Sequence, residues 1–231
     1  MISYLHDLRH PGTCAGVLFS TNNMTVQLEY ISKQSGYTAA QTMAYFARVS
    51  NPANQLNHDT APKLLRYLYT QKHWSPFEMV DMVLYIETSR AISAQIMRHR
   101  SFSFQEFSQR YSDVLGFEPI ELRAQAEKNR QSSTGPYTPT AEMLQRIFDL
   151  LGEARNVYEE LIDDGCSRET ARFLLPECTQ TRLYMKGSIR SWIHYIQVRT
   201  HETTQQEHRA IAVEAKRILL SEIPELEELI G

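Results

Sequence analysis

The sequence predicts an α/β fold in which a small, mainly antiparallel sheet is flanked by helices. Three observations predict it. A few segments, 25–31 and 80–86 among them, alternate their side chains as half-buried strands do. Most of the remainder repeats apolar residues at three- and four-residue spacing, the period of a helix that buries one face. With 231 residues and 42% hydrophobic content the chain can bury a substantial core, and it is long for one domain but short for two. One elaborated domain over residues 1–231 is therefore expected.

The N-terminal MISYLHDLRH lacks an apolar leader core, and no stretch approaches the roughly 18 apolar residues that span a bilayer. A soluble, cytoplasmic protein is expected. In 25–31, Val26, Leu28 and Tyr30 alternate with Gln27 and Glu29 as a strand. A helix follows from about Thr38, with Ala40, Met43, Ala44, Phe46 and Ala47 on its apolar side, until Asn51-Pro52 breaks it. Asp59 or Thr60 can cap a second helix that admits Pro62 in its first turn, carries Leu64, Leu65 and Leu68, and ends near Lys72. The turn His73-Trp74-Ser75-Pro76-Phe77-Glu78 leads into a strand whose Val80, Met82, Leu84 and Ile86 face a core. A helix from Ser89 then places Ile92, Gln95, Ile96 and His99 at helical spacing and delivers Arg98-His99-Arg100 at its C-terminal end.

Residues 124–139 are polar and rich in turn formers, which predicts an exposed loop. From Thr140 to about Asp164, Met143, Leu144, Ile147, Leu151, Ala154, Tyr158 and Leu161 describe a long packing helix closed by Gly165. Ser167 can open a short helix carrying Arg172 that Pro176 limits, and 179–185 read as another strand. The helix from Ser188 has Ile189, Trp192, Ile193 and Ile196 inside, with Arg190, His194 and Gln197 on the opposite face. Thr204-Gln-Gln-Glu207 matches a capping box for a last helix through Leu220.

Lys plus Arg number 24 against 27 Asp plus Glu, a formal charge of −3, so bulk electrostatics do not favour a nucleic-acid-coating protein. The basic set holds 18 Arg and 6 Lys, a bias toward forked, bidentate recognition of anions. Cys14, Cys166 and Cys178 form no CxxC pair, and their odd number argues against a secreted disulfide framework; buried, inert thiols are expected.

The chemistry concentrates where Arg98-His99-Arg100 is followed, after seven residues, by Ser108-Gln109-Arg110-Tyr111. Arginines there offer permanently charged donors matched to phosphate or carboxylate, with Gln105 and Glu106 beside them. Arg-His-Arg could merely cap a helix, but a cap needs one cation, whereas here the basic residues continue to Arg110 among Phe102, Phe104 and Phe107, which suggest a packed loop. There is no GxGxxG after a strand and no GxxxxGK[ST], so phosphates would need side-chain arginines. No GxSxG elbow is present, and HETTQQEH has Gln205 where a metalloprotease HExxH needs its second histidine, so no metal site is expected.

Arg-His-Arg, seven residues, then Ser-x-Arg resembles the signature of the flavin-dependent thymidylate synthases (the ThyX family), and flanking pieces occur in that family's order over about residues 70 to 210. His73-Trp-Ser75-Pro-Phe-Glu78 looks like the family's His-x-Thr/Ser-Pro-Phe-Glu segment. Ala171-Arg172-Phe-Leu-Leu-Pro176, Ser188-Ile-Arg190-Ser191 through Arg199, and Gln205-Gln-Glu207 are similar to its downstream elements. The resemblance implies that dUMP becomes dTMP, with methylenetetrahydrofolate as carbon donor and FAD reduced by NADPH, in a homotetramer with shared active sites. It implies that His73, Ser75, Glu78, Arg98, His99, Arg100, Gln105, Ser188, Arg190 and His194 line the FAD site. It likewise gives Gln95, Glu106, Ser108, Gln109, Arg110, Arg172 and Arg199 to dUMP, with Arg199 polarising the uracil ring. The common family form has Asn where Gln105 and Ser188 stand, and often Asn or Asp in place of His194. No cysteine nucleophile is implied; Cys178 reads as a small buried hydrophobe and Ser108 as a hydrogen-bonding group. The competing class is an RNA- or nucleotide-binding module using the Arg and Phe of 98–111, and a third is a family member that has lost activity.

Overall fold

Strands β1 (Thr25–Ile31) and β2 (Asp81–Ser89) form where the sequence alternates and pair antiparallel, Val26 opposite Ile86 and Leu28 opposite Leu84. The structure, a computed structural model, describes residues 25–230; Cys14 and the N-terminal MISYLHDLRH lie outside the described residues. The sheet has the order β1-β2-β6-β3, in which β6 (Gln180–Ser188) pairs antiparallel with β3 (Ser103–Glu106). Alternation buries Met82, Leu84, Ile86, Leu183 and Met185, and leaves Tyr30, Tyr184 and Lys186 exposed. Strand β3 is a departure from expectation, since 101–107 read only as a loop. Phe102 and Phe104 alternate with Ser103 and Gln105 there, a signal too short to separate from turn chemistry.

The described residues cluster into two units. The larger contains 25–87, 94–106 and 182–230. Its helix α1 (Ala39–Ala47) starts at Thr38 with a complete capping box: Gln41 N–H donates to Thr38 Oγ1 at 3.1 Å and Thr38 N–H to Gln41 Oε1 at 2.9 Å. Thr60 precedes α2 (Ala61–Thr70) but makes no side-chain cap, because its hydroxyl accepts from the buried Arg48 guanidinium at 2.6 Å. Helix α3 (Arg90–Ile96) ends one turn before His99, and successive i→i+3 turns carry the chain through Arg98-His99-Arg100 to Phe102. Helix α6 (Ile189–Arg199) buries Ile189, Trp192, Ile193 and Ile196, packs on α7 (Gln206–Glu222), and is anchored to β2 by the Trp192 indole N–H donating to the Met82 carbonyl at 2.9 Å. The capping box expected at Thr204 is not formed. Thr204 Oγ1 donates to the Val198 carbonyl, and Gln205 takes the N-cap position with its side chain turned elsewhere. A last short helix, α8 (Glu227–Ile230), closes the unit.

The smaller unit contains 88–93 and 107–181. Residues 124–139, expected as a loop, hold most of a hairpin of β4 (Arg123–Gln125) and β5 (Ser133–Pro136), although their exposure is as expected. Helix α4 (Ala141–Asp163) is capped by Thr140, whose hydroxyl accepts from Met143 N–H, and stops at Gly165, where φ is +91°. Its expected packing stripe is mostly half-buried, and Tyr158 alone on this helix is buried. Helix α5 (Arg168–Ala171) continues into a 3₁₀ turn, Arg172–Leu174. Cys166 and Cys178 are free and half-buried rather than fully buried, and burial raises the Cys178 thiol above its ordinary range. Among the described residues no helix is long and apolar enough to cross a membrane.

One close approach fixes the end of β6. A Cβ on Gly187 would lie 2.5 Å from the Phe102 ring, which is itself buried edge-on against Trp192 and Tyr195. Gly187→Ala is expected to lose about 2 kcal/mol by overpacking, measured as a lower urea midpoint at unchanged slope, and the same change should cost less in a Phe102→Ala background than in the wild type. An unshifted midpoint for Gly187→Ala would refute the contact.

Candidate active site

Every residue expected at the flavin lies in the larger unit, together with Gln95, Glu106 and Arg199; Ser108, Gln109, Arg110 and Arg172 lie in the smaller. In the larger unit the sequence-distant Arg199 and His99 meet. Arg199 Nε donates to His99 Nε2 at 2.8 Å. Guanidinium nitrogens only donate, so His99 Nε2 must carry a lone pair and the ring must be neutral with its proton on Nδ1. Burial, then the charges of Arg199, His194 and Arg98, push the imidazole down to about 4, in agreement with that geometry. The ring stands edge-on to Tyr195 at 4.9 Å between centroids.

Arg98, Arg100 and Arg199 have no carboxylate partner among the described residues. Uncompensated arginines at a helix-to-turn junction are poised for an anionic ligand. Close by in sequence, Gln105 is exposed on β3 opposite Tyr184. His73 is exposed with its ring edge toward Tyr67, following Lys72, whose φ of 60° turns the chain out of α2. Ser75 begins the 3₁₀ turn that contains Glu78, and Glu78 pairs with Arg190, whose guanidinium lies 6.0 Å from the Trp74 ring centroid. Ser188 caps α6 by accepting from Ser191 N–H at 3.3 Å. His194 is exposed on α6, and its side chain makes no hydrogen bond among the described residues.

A cavity of about 340 Å³ joins Glu78 and Ser188 to Ser101, Ser103, Ser191 and Lys186, none of the last four anticipated from the sequence. Lys186 is held by Asp81 at 2.7 Å. Gly187 is the cavity wall without a side chain. Hydroxyls, two carboxylates that are paired with Lys186 and Arg190, and the Lys186 ammonium line one cavity, and with the free guanidinium groups of Arg98 and Arg100 in the same unit they suit a flavin dinucleotide: its hydroxyls and ring edges need hydrogen-bonding partners and its diphosphate needs cations.

In the smaller unit, Arg110 pairs with Glu169 at 3.0 Å and Arg172 Nε donates to the Glu169 carbonyl at 3.3 Å, so two arginines expected at the nucleotide converge on one residue. Arg168 pairs with Asp113 at 2.7 Å, fastening the segment after Arg110 to α5. Gln109 is 7% exposed, and its buried amide nitrogen has no hydrogen-bond partner among the described residues. An orphaned buried donor costs about 1–3 kcal/mol, and a ligand oxygen would satisfy it.

Sequence reasoning missed a buried polar chain in the larger unit. His208, wholly buried, faces the Tyr195 hydroxyl at 3.1 Å through Nε2 and the Gln95 carbonyl oxygen at 3.4 Å through Nδ1, and Gln95 Nε2 donates to Gln205 Oε1 at 2.6 Å. The available signal was positional: His208 occupies the stripe 208, 211, 212, 215, 218, 219 where an aliphatic residue is the default. His201, the other histidine of HETTQQEH, is exposed and bonds Thr203.

The chain matches, over residues 33–225, the family model described as thymidylate synthase complementing protein. A probable flavin-dependent thymidylate synthase of Paramecium bursaria Chlorella virus 1 is 46% identical over 192 residues, covering 82% of this chain and 89% of its own length. The flavin-dependent thymidylate synthase of Synechocystis is 49% identical over 184 residues, covering 79% and 85%. Among solved structures, the UMP/dUMP methylase PolB of Streptomyces cacaoi bound with 5-Br dUMP aligns with a TM-score of 0.76 at 26% identity, covering 89% of this chain and 94% of that one.

The neutral histidines set an acid limit. His208 is pushed down to about 3 by burial, then by Arg199 and His99. In the unfolded chain it titrates near its ordinary 6.5, so below that pH the unfolded state takes the proton first and stability falls as pH falls, levelling only below about 3. Between pH 6.5 and 5 the loss from His208 is about 2 kcal/mol. Urea midpoints at pH 7.5 and 5 should therefore separate further in the wild type than in His208→Gln; equal separations would refute the neutral assignment.

Proposed function

We propose, since the chain belongs to the thymidylate synthase complementing protein family, that it is a flavin-dependent thymidylate synthase: it converts dUMP to dTMP, takes the carbon from methylenetetrahydrofolate, and uses FAD reduced by NADPH. The bound flavin supplies the hydride to the pyrimidine. Binding, orientation and charge stabilisation fall to this chain's side chains. Arg98 and Arg100 would hold the diphosphate, and His73, Ser75, Glu78, His99, Gln105, Ser188, Arg190 and His194 the rest of the dinucleotide. Gln95, Glu106, Ser108, Gln109, Arg110, Arg172 and Arg199 would hold dUMP. The orphaned amide of Gln109 supports this assignment, as does the pairing of Arg110 with the exposed Glu169 carboxylate, which a phosphate could replace, beside Arg172, which holds the Glu169 backbone carbonyl.

The observation that carries the reading is the bond from Arg199 to neutral His99. Bonding to a neutral ring leaves the full positive charge available and fixes the direction of the guanidinium. Such a group stabilises negative charge that develops on the uracil as hydride arrives, and it needs no reorganisation to do so. No thiol is required; the raised Cys178 would be a poor nucleophile. We further propose that residues 1–231 act as one functional domain in a cytoplasmic homotetramer with shared sites.

The direct test is the visible spectrum of purified protein. An oxidised-flavin spectrum that bleaches under anaerobic NADPH with dUMP, followed by dTMP formation, is expected; a colourless protein that takes up no added FAD would overturn the proposal. Arg199→Ala should keep flavin while dTMP formation falls on the order of a hundredfold, and full activity would remove its role. Arg110→Ala should weaken dUMP about tenfold by calorimetry; an unchanged dissociation constant would count against a phosphate contact.

A further inference from the structure

Buried polar residues in an apolar stripe need a reason, because an imidazole without partners costs several times what it contributes. His208 has two partners, and both lead to the candidate site. Gln95 turns its Nε2 to Gln205 Oε1, so its carbonyl oxygen is the end that faces His208 Nδ1. That nitrogen must then carry the ring proton. In the neutral ring Nε2 is left to accept, and the Tyr195 hydroxyl donates to it. Tyr195 is wholly buried, and burial holds its phenol well above the ordinary range, so it stays a donor.

The arrangement has a repeating geometry. Tyr195 and Arg199 stand one turn apart on α6, and Gln95 and His99 stand four residues apart across the end of α3. Arg199 bonds His99, the Tyr195 ring lies against the His99 ring, and His208 ties Tyr195 to Gln95. A glutamine side chain that is only half-buried would otherwise sample several rotamers, and ordering it on binding would lower affinity.

We propose that His208, held by Tyr195, is a positioning residue that fixes the amide of Gln95 for nucleotide binding. The inference rests on the assignment of Gln95 to dUMP. With the carbonyl end held by His208 and one N–H by Gln205, the second N–H of Gln95 is presented in a fixed direction. The Tyr195–His208 pair touches no ligand itself; it acts through Gln95.

The test titrates dUMP into flavin-loaded protein by calorimetry for the wild type, Tyr195→Phe, His208→Leu and His208→Gln, with steady-state constants measured on the same preparations. Tyr195→Phe removes one hydroxyl and leaves the packing in place. It should weaken dUMP about threefold, and His208→Leu about tenfold. His208→Gln, which can still bond both neighbours, should recover most of the affinity. The KM for dUMP should rise with kcat and the KM for methylenetetrahydrofolate within twofold, and the flavin content should stay constant. Wild-type dUMP affinity in both Tyr195→Phe and His208→Leu would overturn the proposal. So would a parallel loss of flavin, folate and dUMP binding that His208→Gln does not rescue, which is the pattern of a merely structural residue. A wild-type chain that binds flavin but no dUMP would remove the Gln95 assignment and this inference with it.

Discussion

Arg199 meets no carboxylate among the described residues, and the group that holds its guanidinium is uncharged. Here that group is the His99 imidazole, and much of the larger unit can be derived from the need to keep it neutral and in place. Neutrality requires burial, and burial comes from Tyr195 and Phe102, packed edge-on against the ring or close to it. Tyr195 brings a hydroxyl into the interior, and that hydroxyl needs His208. Phe102 needs the space that Gly187 leaves at the end of β6. Helix α6 can present Tyr195 and Arg199 only if its other face is fixed, which the Trp192 indole does through a backbone carbonyl of β2. The sheet thus serves as the platform from which a single cation is aimed.

The smaller unit handles charge in the opposite way. Arg110 and Arg168 are paired with Glu169 and Asp113 at the surface, where such pairs contribute between nothing and about 1 kcal/mol. Weak pairs of this kind can be exchanged for a stronger anion at little expense. A buried pair could not, because removing one partner strands the other. Arg199 is locked by a neutral group, whereas Arg110 and Arg168 are parked on replaceable carboxylates.

Much of this was legible in the sequence. The alternation in 25–31 and 80–86, the helical spacing from about Thr38, the proline in the first turn of α2 and the glycine after α4 each have a local cause, and each produced the expected element. The Arg98–Arg110 cluster was visible because arginine among aromatics is unusual. Other features lay beyond local pattern. Strand β3 exists because β6 offers it a ladder, and the hairpin within 123–136 has too little apolar content to announce itself. The box at Thr204 has the right letters, yet the Thr204 hydroxyl finds the Val198 carbonyl, a tertiary choice that spacing does not encode. His208 was passed over because it was weighed as a metal ligand, when its position in an apolar stripe was the informative fact.

The contact between Phe102 and Gly187 also bears on how sequences of this kind diverge. The two positions are far apart in the chain but share one volume, and only one of them can fill it. A larger residue at 187 calls for a smaller one at 102, so a drift at either position is accepted only after, or together with, a compensating drift at the other.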